Sequence, residues 1–214
     1  MALEVGLTLS CLLVALWMRP WRMLADGRLL TPLLGSLVLI GWLWSLPFLH
    51  HMPLQVNWSG APLITLMLGW PLAVPTLLGL GAIVWGLSPA DAQAVLSLVV
   101  WKGLVPASLT VLLGAALRRW VVHHPFVYVL GRGFLGSVLC IFISSLVAQA
   151  LGHELPNTAP GLSAVAFWLM AWGDAFITGL MAAIGVAFKP EWLATWSDRL
   201  YLQPPREPRD KDQP

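Results

Sequence analysis

Residues able to ligate a metal or carry charge are scarce in this chain: of 214 residues only 12 are Lys or Arg, 10 are Asp or Glu and 5 are His. Scarcity makes their placement informative. The richest stretch is His50 to Pro71, HHMPLQVNWSGAPLITLMLGWP, in which a polar turn with adjacent histidines runs into an apolar segment ending in Gly69-Trp70-Pro71. Neutral imidazole is a common ligand of divalent transition metals. His50 and His51, together with Asn57 and the later His153-Glu154 pair, therefore form the candidate nitrogen and oxygen ligand set. A single interfacial histidine is ordinarily a solvated side chain, and no HxxxH pair occurs, so the metal reading rests on several histidines sharing one face. Lys102, Arg132 and Asp174 are a second group, each inside an apolar run. Intramembrane charges are costly enough to be functional hypotheses by default.

The elements that must position these residues are membrane helices. A composition of 58% hydrophobic and 10% charged residues, with a mean hydropathy of +0.77, is irreconcilable with a solvated surface. The length accommodates roughly six or seven spans of about 20 residues with short loops. The small positive net charge of +2 marks cytoplasmic loops rather than a nucleic-acid partner. Cys11 and Cys140 fall within apolar runs and read as small core residues, not as a disulfide or thiolate site.

Leu3 to Met18 lacks a basic leading region and carries Glu4, so it reads as a first span rather than a signal peptide. Arg19, Arg22 and Arg28 follow it and hold the first loop in the cytoplasm, placing the N-terminus outside. The second span runs from about Leu29 to Leu49 and delivers His50 and His51 outward. Ala61 to Leu87 reads as two segments broken at Gly69-Trp70-Pro71, because only an extra crossing puts Arg118, Arg119, Lys189 and the basic tail on the cytoplasmic side. Proline removes a backbone donor and disfavours helix at the residue before it. Ala61 to Leu68 is short and is expected to be tilted or partly re-entrant, shielded by neighbouring helices. Further spans run from about Ala94 to Leu117, Phe126 to Leu151 and Ser163 to Phe188. The expected fold is an all-α transmembrane bundle of about seven helices, N-out and C-in, forming one domain over residues 1–202. Residues 203–214 are a charged, proline-rich tail expected to be disordered and cytoplasmic.

Depth along these spans pairs two of the charges. At about 1.5 Å per residue, Lys102 and Asp174 lie roughly 12 and 16 Å from the outer ends of their spans. Matched depth predicts a Lys102–Asp174 ion pair inside the bundle, serving helix register or conformational coupling. Arg132 lies roughly 9 Å from the cytoplasmic end and is expected to snorkel towards that face. Small residues four apart, Ala175, Gly179, Ala183 and Ala187, mark a close helix contact.

No energy-transducing or hydrolytic motif is present. There is no GxxxxGK[ST] loop, and His153-Glu154 is followed by Leu155-Pro156-Asn157 rather than completing HExxH. Gly161-Leu162-Ser163-Ala164 is a weak match to a membrane serine protease, with no histidine inside a helix to act as base. The chain is not expected to be an enzyme.

Two sets of motifs carry a resemblance. Pro53 to Pro71 is similar to the segment of the CbiM/NikM family that runs Gly-Thr-Ser-Gly-His-Leu-Leu-Gly and ends in Leu-Leu-Gly-Pro. Pro20-Trp21-Arg22, His124-Pro125-Phe126-Val127-Tyr128 and Lys189-Pro190-Glu191-Trp192-Leu193-Ala194-Thr195-Trp196 with Asp198-Arg199 and Tyr201-Leu202 resemble a proteobacterial branch of that family. The resemblance covers most of the chain up to Leu202. It implies a substrate-binding membrane component of an energy-coupling factor (ECF) ABC transporter in the bacterial inner membrane. Such a permease captures cobalt or nickel from outside and relies on a scaffold membrane subunit and ATPase subunits for energy. The metal is its cargo, and no permanently bound cofactor is implied. The family's ligands are the N-terminal amine, a histidine at the second residue and the histidine of the central segment. Here those side-chain positions hold Ala2 and Asn57, and an asparagine oxygen is a weaker ligand than imidazole for either metal.

Two function classes follow. One is a metal importer component with His50, His51 and Asn57 as outward ligands and Lys102 and Asp174 as internal coupling residues. The other is a non-transporting accessory or assembly protein that keeps the bundle without the site.

Overall fold

The computed structural model describes residues 1–49, 58–121, 124–153, 161–197 and 201. His50, His51, Asn57, Glu154 and the 203–214 tail lie outside them. The described residues form helices and no strand: α1 (Ala2–Trp17), α2 (Leu30–Leu49), α3 (Ala61–Leu68), α4 (Trp70–Leu87), α5 (Ala92–Trp120), α6 (Val127–Ala150) and α7 (Ser163–Phe188). Short 3-10 turns follow α1 at Pro20–Leu24 and α7 at Pro190–Trp192.

Five of these helices, α2 and α4 to α7, are long and apolar enough to cross a bilayer, at 18 to 29 residues each. Their outer faces are apolar too: Val38 is 69% exposed and Phe176 64%. An apolar exterior of this extent needs lipid as its solvent, and the chain is an integral membrane protein. Against the expectation of about seven spans, α1 has only 16 residues and α3 only 8.

The break expected at Gly69-Trp70-Pro71 falls at Gly69, and α3 is a half-helix. It is about 12 Å long, well short of a hydrocarbon core of about 30 Å. Every residue of α3 except Met67 is buried, so α3 is enclosed by protein on all sides. Around it pack Ile40 and Trp44 of α2, Leu77 and Leu80 of α4, and Val100 and Leu104 of α5. Buried hydroxyls along these helices, such as those of Ser45, Thr65, Thr76 and Thr110, donate to the carbonyl four residues earlier and so need no outside partner.

A half-helix leaves both ends of its backbone unsatisfied in a medium without water. The far end of α3 is closed by the segment after α7. The Ala194 amide donates to the Met67 carbonyl at 2.9 Å, and Thr195 donates to the Leu66 carbonyl through its amide at 3.3 Å and its hydroxyl at 2.8 Å. Thr195 is held in turn by the Tyr128 hydroxyl at 2.8 Å, and the Tyr128 ring packs edge-on against Trp196 and Tyr201. The His124–Tyr128 and Lys189–Trp196 motifs thus meet in one aromatic cluster beneath the half-helix.

Gly69 turns the chain from α3 into α4 at φ 72° and ψ 157°, a region that side chains with a Cβ almost never enter. A Cβ there would also stand 3.2 Å from the Met23 terminal methyl. Gly69→Ala is expected to destabilise the protein by about 1–3 kcal/mol, measured by unfolding in mixed micelles. An unchanged stability would show that α3 and α4 can join without that conformation.

Contacts between elements define the two ends of the bundle. Glu4 at the start of α1 meets Ser97 in the first turns of α5 and His153 just after α6. At the other end, Gly69 lies beside Met23 and Ala194. Arg19, Arg22 and Lys189 follow helices that finish at this second end, and Arg118 and Arg119 lie in the last turn of another.

Candidate functional site

The near end of α3 sits at mid-bundle and is held by Asp174, the buried carboxylate of α7. Asp174 Oδ2 accepts from the Ser59 amide at 2.6 Å and from the Gly60 amide at 3.2 Å, and its Oδ1 stands 3.4 Å from the Thr178 hydroxyl. A carboxylate at a helix N-terminus meets both the free amides and the positive end of the helix dipole. Gly60 supplies the left-handed turn into α3 at φ 64°, and a Cβ there would stand 2.9 Å from Ile40 Cδ1 of α2.

Ser59 joins α7 to α5. While its amide donates to Asp174, its hydroxyl donates to the Lys102 carbonyl at 2.5 Å. That carbonyl is available because the residue four positions on is Pro106, which has no N–H to donate, and Val99–Leu104 just before it is wound as a π-helix, a local register that recurs at functional sites. The Trp101 carbonyl of the same stretch accepts from the Ser144 hydroxyl at 2.6 Å. The Trp44 indole nitrogen donates to the carbonyls of Trp58 and Ser59 at 3.0 and 3.2 Å. The approach to α3 is therefore pinned from α2, α5 and α7 together.

Matched depth predicts a direct Lys102–Asp174 ion pair, and none of the ion pairs among the described residues joins them. The two are linked through Ser59 instead. The Asp174 carboxylate is turned to the amides of the half-helix, donors that a side-chain depth argument does not count.

A second polar cluster lies at the His153 end. The Glu4 side chain is buried, although it comes from a helix of mostly exposed residues. Its Oε1 accepts from the Ser97 hydroxyl and from the Trp101 indole nitrogen at 3.2 Å, and lies 3.3 Å from His153 Nε2. Its Oε2 lies 3.2 Å from the Met1 amine. The His153 ring is tilted against Trp101 with centroids 5.7 Å apart, and its side chain is 38% exposed. A buried carboxylate and an open imidazole thus share one point, reached from outside through His153.

Sequence reasoning placed His153 at this end but did not join it to Glu4. The signal was present as a lone carboxylate in an apolar helix, the kind of residue for which a partner should be sought. His50 and His51 directly follow Leu49, and they and Asn57 lie outside the described residues, as does Glu154.

Arg132 departs from the snorkelling expected of it. It is 3% exposed, folded inwards against α5 where Gly114 leaves room: a Cβ at position 114 would stand 2.5 Å from its Nε. Its guanidinium carbon lies 5.8 Å from the Tyr128 ring centre. Snorkelling needs a side chain free to follow its own helix to water, and the glycine notch offers a shorter inward path.

The chain matches no family model, no curated protein and no solved structure.

Proposed function

We propose that this chain is the membrane component of an importer, of the energy-coupling factor kind, that takes up a divalent transition metal ion, cobalt or nickel, at the end bearing His153. The observation that carries the reading is the Glu4–His153 contact. Ligands about 2.1 Å from a metal at angles between octahedral and tetrahedral are separated by roughly 3.0–3.4 Å. The 3.3 Å between Glu4 Oε1 and His153 Nε2, a direct contact here, lies within that range, which supports the two as ligands of one ion. His50 and His51, which follow the helix ending at this side, and Asn57 are the candidate further ligands. The basic residues at the opposite end favour an N-out orientation in a bacterial inner membrane, with this site facing outward. The half-helix pinned by Asp174 resembles the discontinuous helices on which membrane transporters build their midplane sites, and a scaffold subunit with ATPases would supply the energy.

A second reading, an accessory membrane protein without transport, is favoured by one observation: Ala2 and Asn57 stand where the resembled family has its ligand histidines. Isothermal titration of the detergent-purified protein with cobalt, nickel and zinc separates the two. Micromolar or tighter binding is expected, weakened by His50→Ala/His51→Ala. Absence of binding to all three metals would sink the importer reading and leave the accessory one.

A further inference from the structure

The Glu4 carboxylate and the His153 imidazole, far apart in the sequence, meet at one side chain of α5. The Trp101 indole nitrogen donates to Glu4 Oε1 at 3.2 Å, and the His153 ring rests on the Trp101 ring at 44° with centroids 5.7 Å apart. Neither group is fixed by its own element alone. Glu4 lies in the first turn of α1, which packs on α4 and α5 and leaves most of its residues exposed. His153 follows the cap that ends α6: Gly152 takes φ 88°, its amide donates to the Gln149 carbonyl at 2.9 Å, and the His153 amide donates to the Ala148 carbonyl at 3.0 Å. This is the glycine-terminated Schellman pair, which places the His153 backbone. The imidazole can still turn about its side-chain bonds, and the Trp101 ring is what it turns against. Trp101 is itself held: its side chain is buried, its carbonyl accepts from the Ser144 hydroxyl of α6 at 2.6 Å, and the next carbonyl, of Lys102, accepts from Ser59 at 2.5 Å. Ser97, one turn earlier in α5, gives Glu4 Oε1 its second donor.

We propose that Trp101 is the positioning residue of the metal site, its indole N–H aiming the Glu4 carboxylate and its ring face orienting the His153 imidazole, with Ser97 as a second anchor of the carboxylate. The inference rests on the metal-import reading and adds to it the residue that sets the affinity of the site. Groups that touch the ligands rather than the ion fix ligand orientation, and their loss typically costs about 10–100-fold in metal affinity. A carboxylate and an imidazole already held in place give up little side-chain freedom when an ion arrives. Trp101 is suited to this because one rigid side chain reaches both ligands, with a polar edge for one and an apolar face for the other.

The test is a cobalt titration of the full-length protein in detergent, followed by calorimetry and by the visible absorption of bound cobalt, which reports ligand geometry. Trp101→Phe keeps a ring against His153 but loses the N–H, and is expected to weaken binding about tenfold; Trp101→Leu loses both contacts and should weaken it about 100-fold. Both are expected to alter the cobalt spectrum. Ser97→Ala should weaken binding several-fold, and Ser97→Thr, which restores the hydroxyl, should recover it. Gly69→Ala, at the opposite end of the bundle, is the control for general destabilisation and is expected to leave affinity and spectrum unchanged. Should Trp101→Leu fail to fold, Trp101→Phe and the Ser97 pair decide. Wild-type binding that Trp101→Phe and Trp101→Leu retain with the same affinity and spectrum would overturn the positioning role and leave the metal reading intact. So would a loss in Gly69→Ala as large as that in Trp101→Phe. Absence of cobalt binding by the wild type would overturn the metal reading itself, and this role with it.

Discussion

Asp174→Ala is expected to destabilise the protein by about 3–5 kcal/mol, because it removes one carboxylate serving two backbone amides in the bundle interior. The Ser59 and Gly60 amides donate to the same oxygen, and no water is available at that depth to replace it. Each charge-assisted bond contributes about 1.5–3 kcal/mol, and the orphaned donors add their own desolvation cost. Asp174→Asn should be much milder, about 1–2 kcal/mol. Its amide oxygen can still accept from the two amides, and its NH2 can face the Thr178 hydroxyl, which now stands 3.4 Å from Oδ1. Unfolding in mixed micelles measures both. A loss below about 1 kcal/mol for Asp174→Ala would mean that α3 is held at its near end by something other than this carboxylate. Lys102→Met gives a further discrimination: Ser59 binds the Lys102 carbonyl, not its ammonium, so the Asp174→Ala cost should change little in that background.

Glu4→Ala is the second large effect, with an expected loss of about 1–3 kcal/mol, chiefly from a buried indole donor left without an acceptor and to a lesser degree from a half-buried hydroxyl. These are the Ser97 hydroxyl and the Trp101 indole. A double-mutant cycle with Trp101→Phe isolates one of them. Once the indole N–H is gone, Glu4→Ala should cost about 1 kcal/mol less, the coupling expected of residues in direct contact. Strict additivity would show that the Glu4–Trp101 bond contributes nothing. The same position tests the proposed cargo site. Glu4→Gln keeps an acceptor for Ser97 and Trp101 but removes the charge, and should lower cobalt or nickel affinity by roughly 100-fold while sparing most of the stability. His153→Ala should lower the affinity comparably, since it removes the imidazole 3.3 Å from the carboxylate. An unchanged affinity in both variants would place the metal elsewhere.

The sequence by itself determined the class of solvent and the local backbone. Apolar runs longer than a soluble core can use require lipid, and continuous apolar runs of about 20 residues cross it as helices rather than as alternating barrel strands, so the helical membrane bundle was legible from composition and run length. The break at Gly69 was legible because only an extra crossing puts Arg118 and Arg119 on the side of the other basic residues, and Pro71 removes a backbone donor and disfavours helix at the residue before it. Asp174 was legible as a group needing a partner, since a charge in an apolar run is costly wherever its neighbours lie.

Which partner each polar group found was decided only by tertiary structure. Asp174 and Lys102 share a depth, but direct pairing depends on rotation about each helix axis, which packing sets. The Ser59 and Gly60 amides came into reach only because α3 is a half-helix whose free donors end at mid-bundle. Glu4 and His153 are separated by most of the chain, and nothing in their local spacing joins them. Arg132 had room to turn inward because Gly114 of another helix lies opposite it. Apolar helix surfaces constrain one another through shape, and the shape of a neighbour is not written in the run of residues that it shapes.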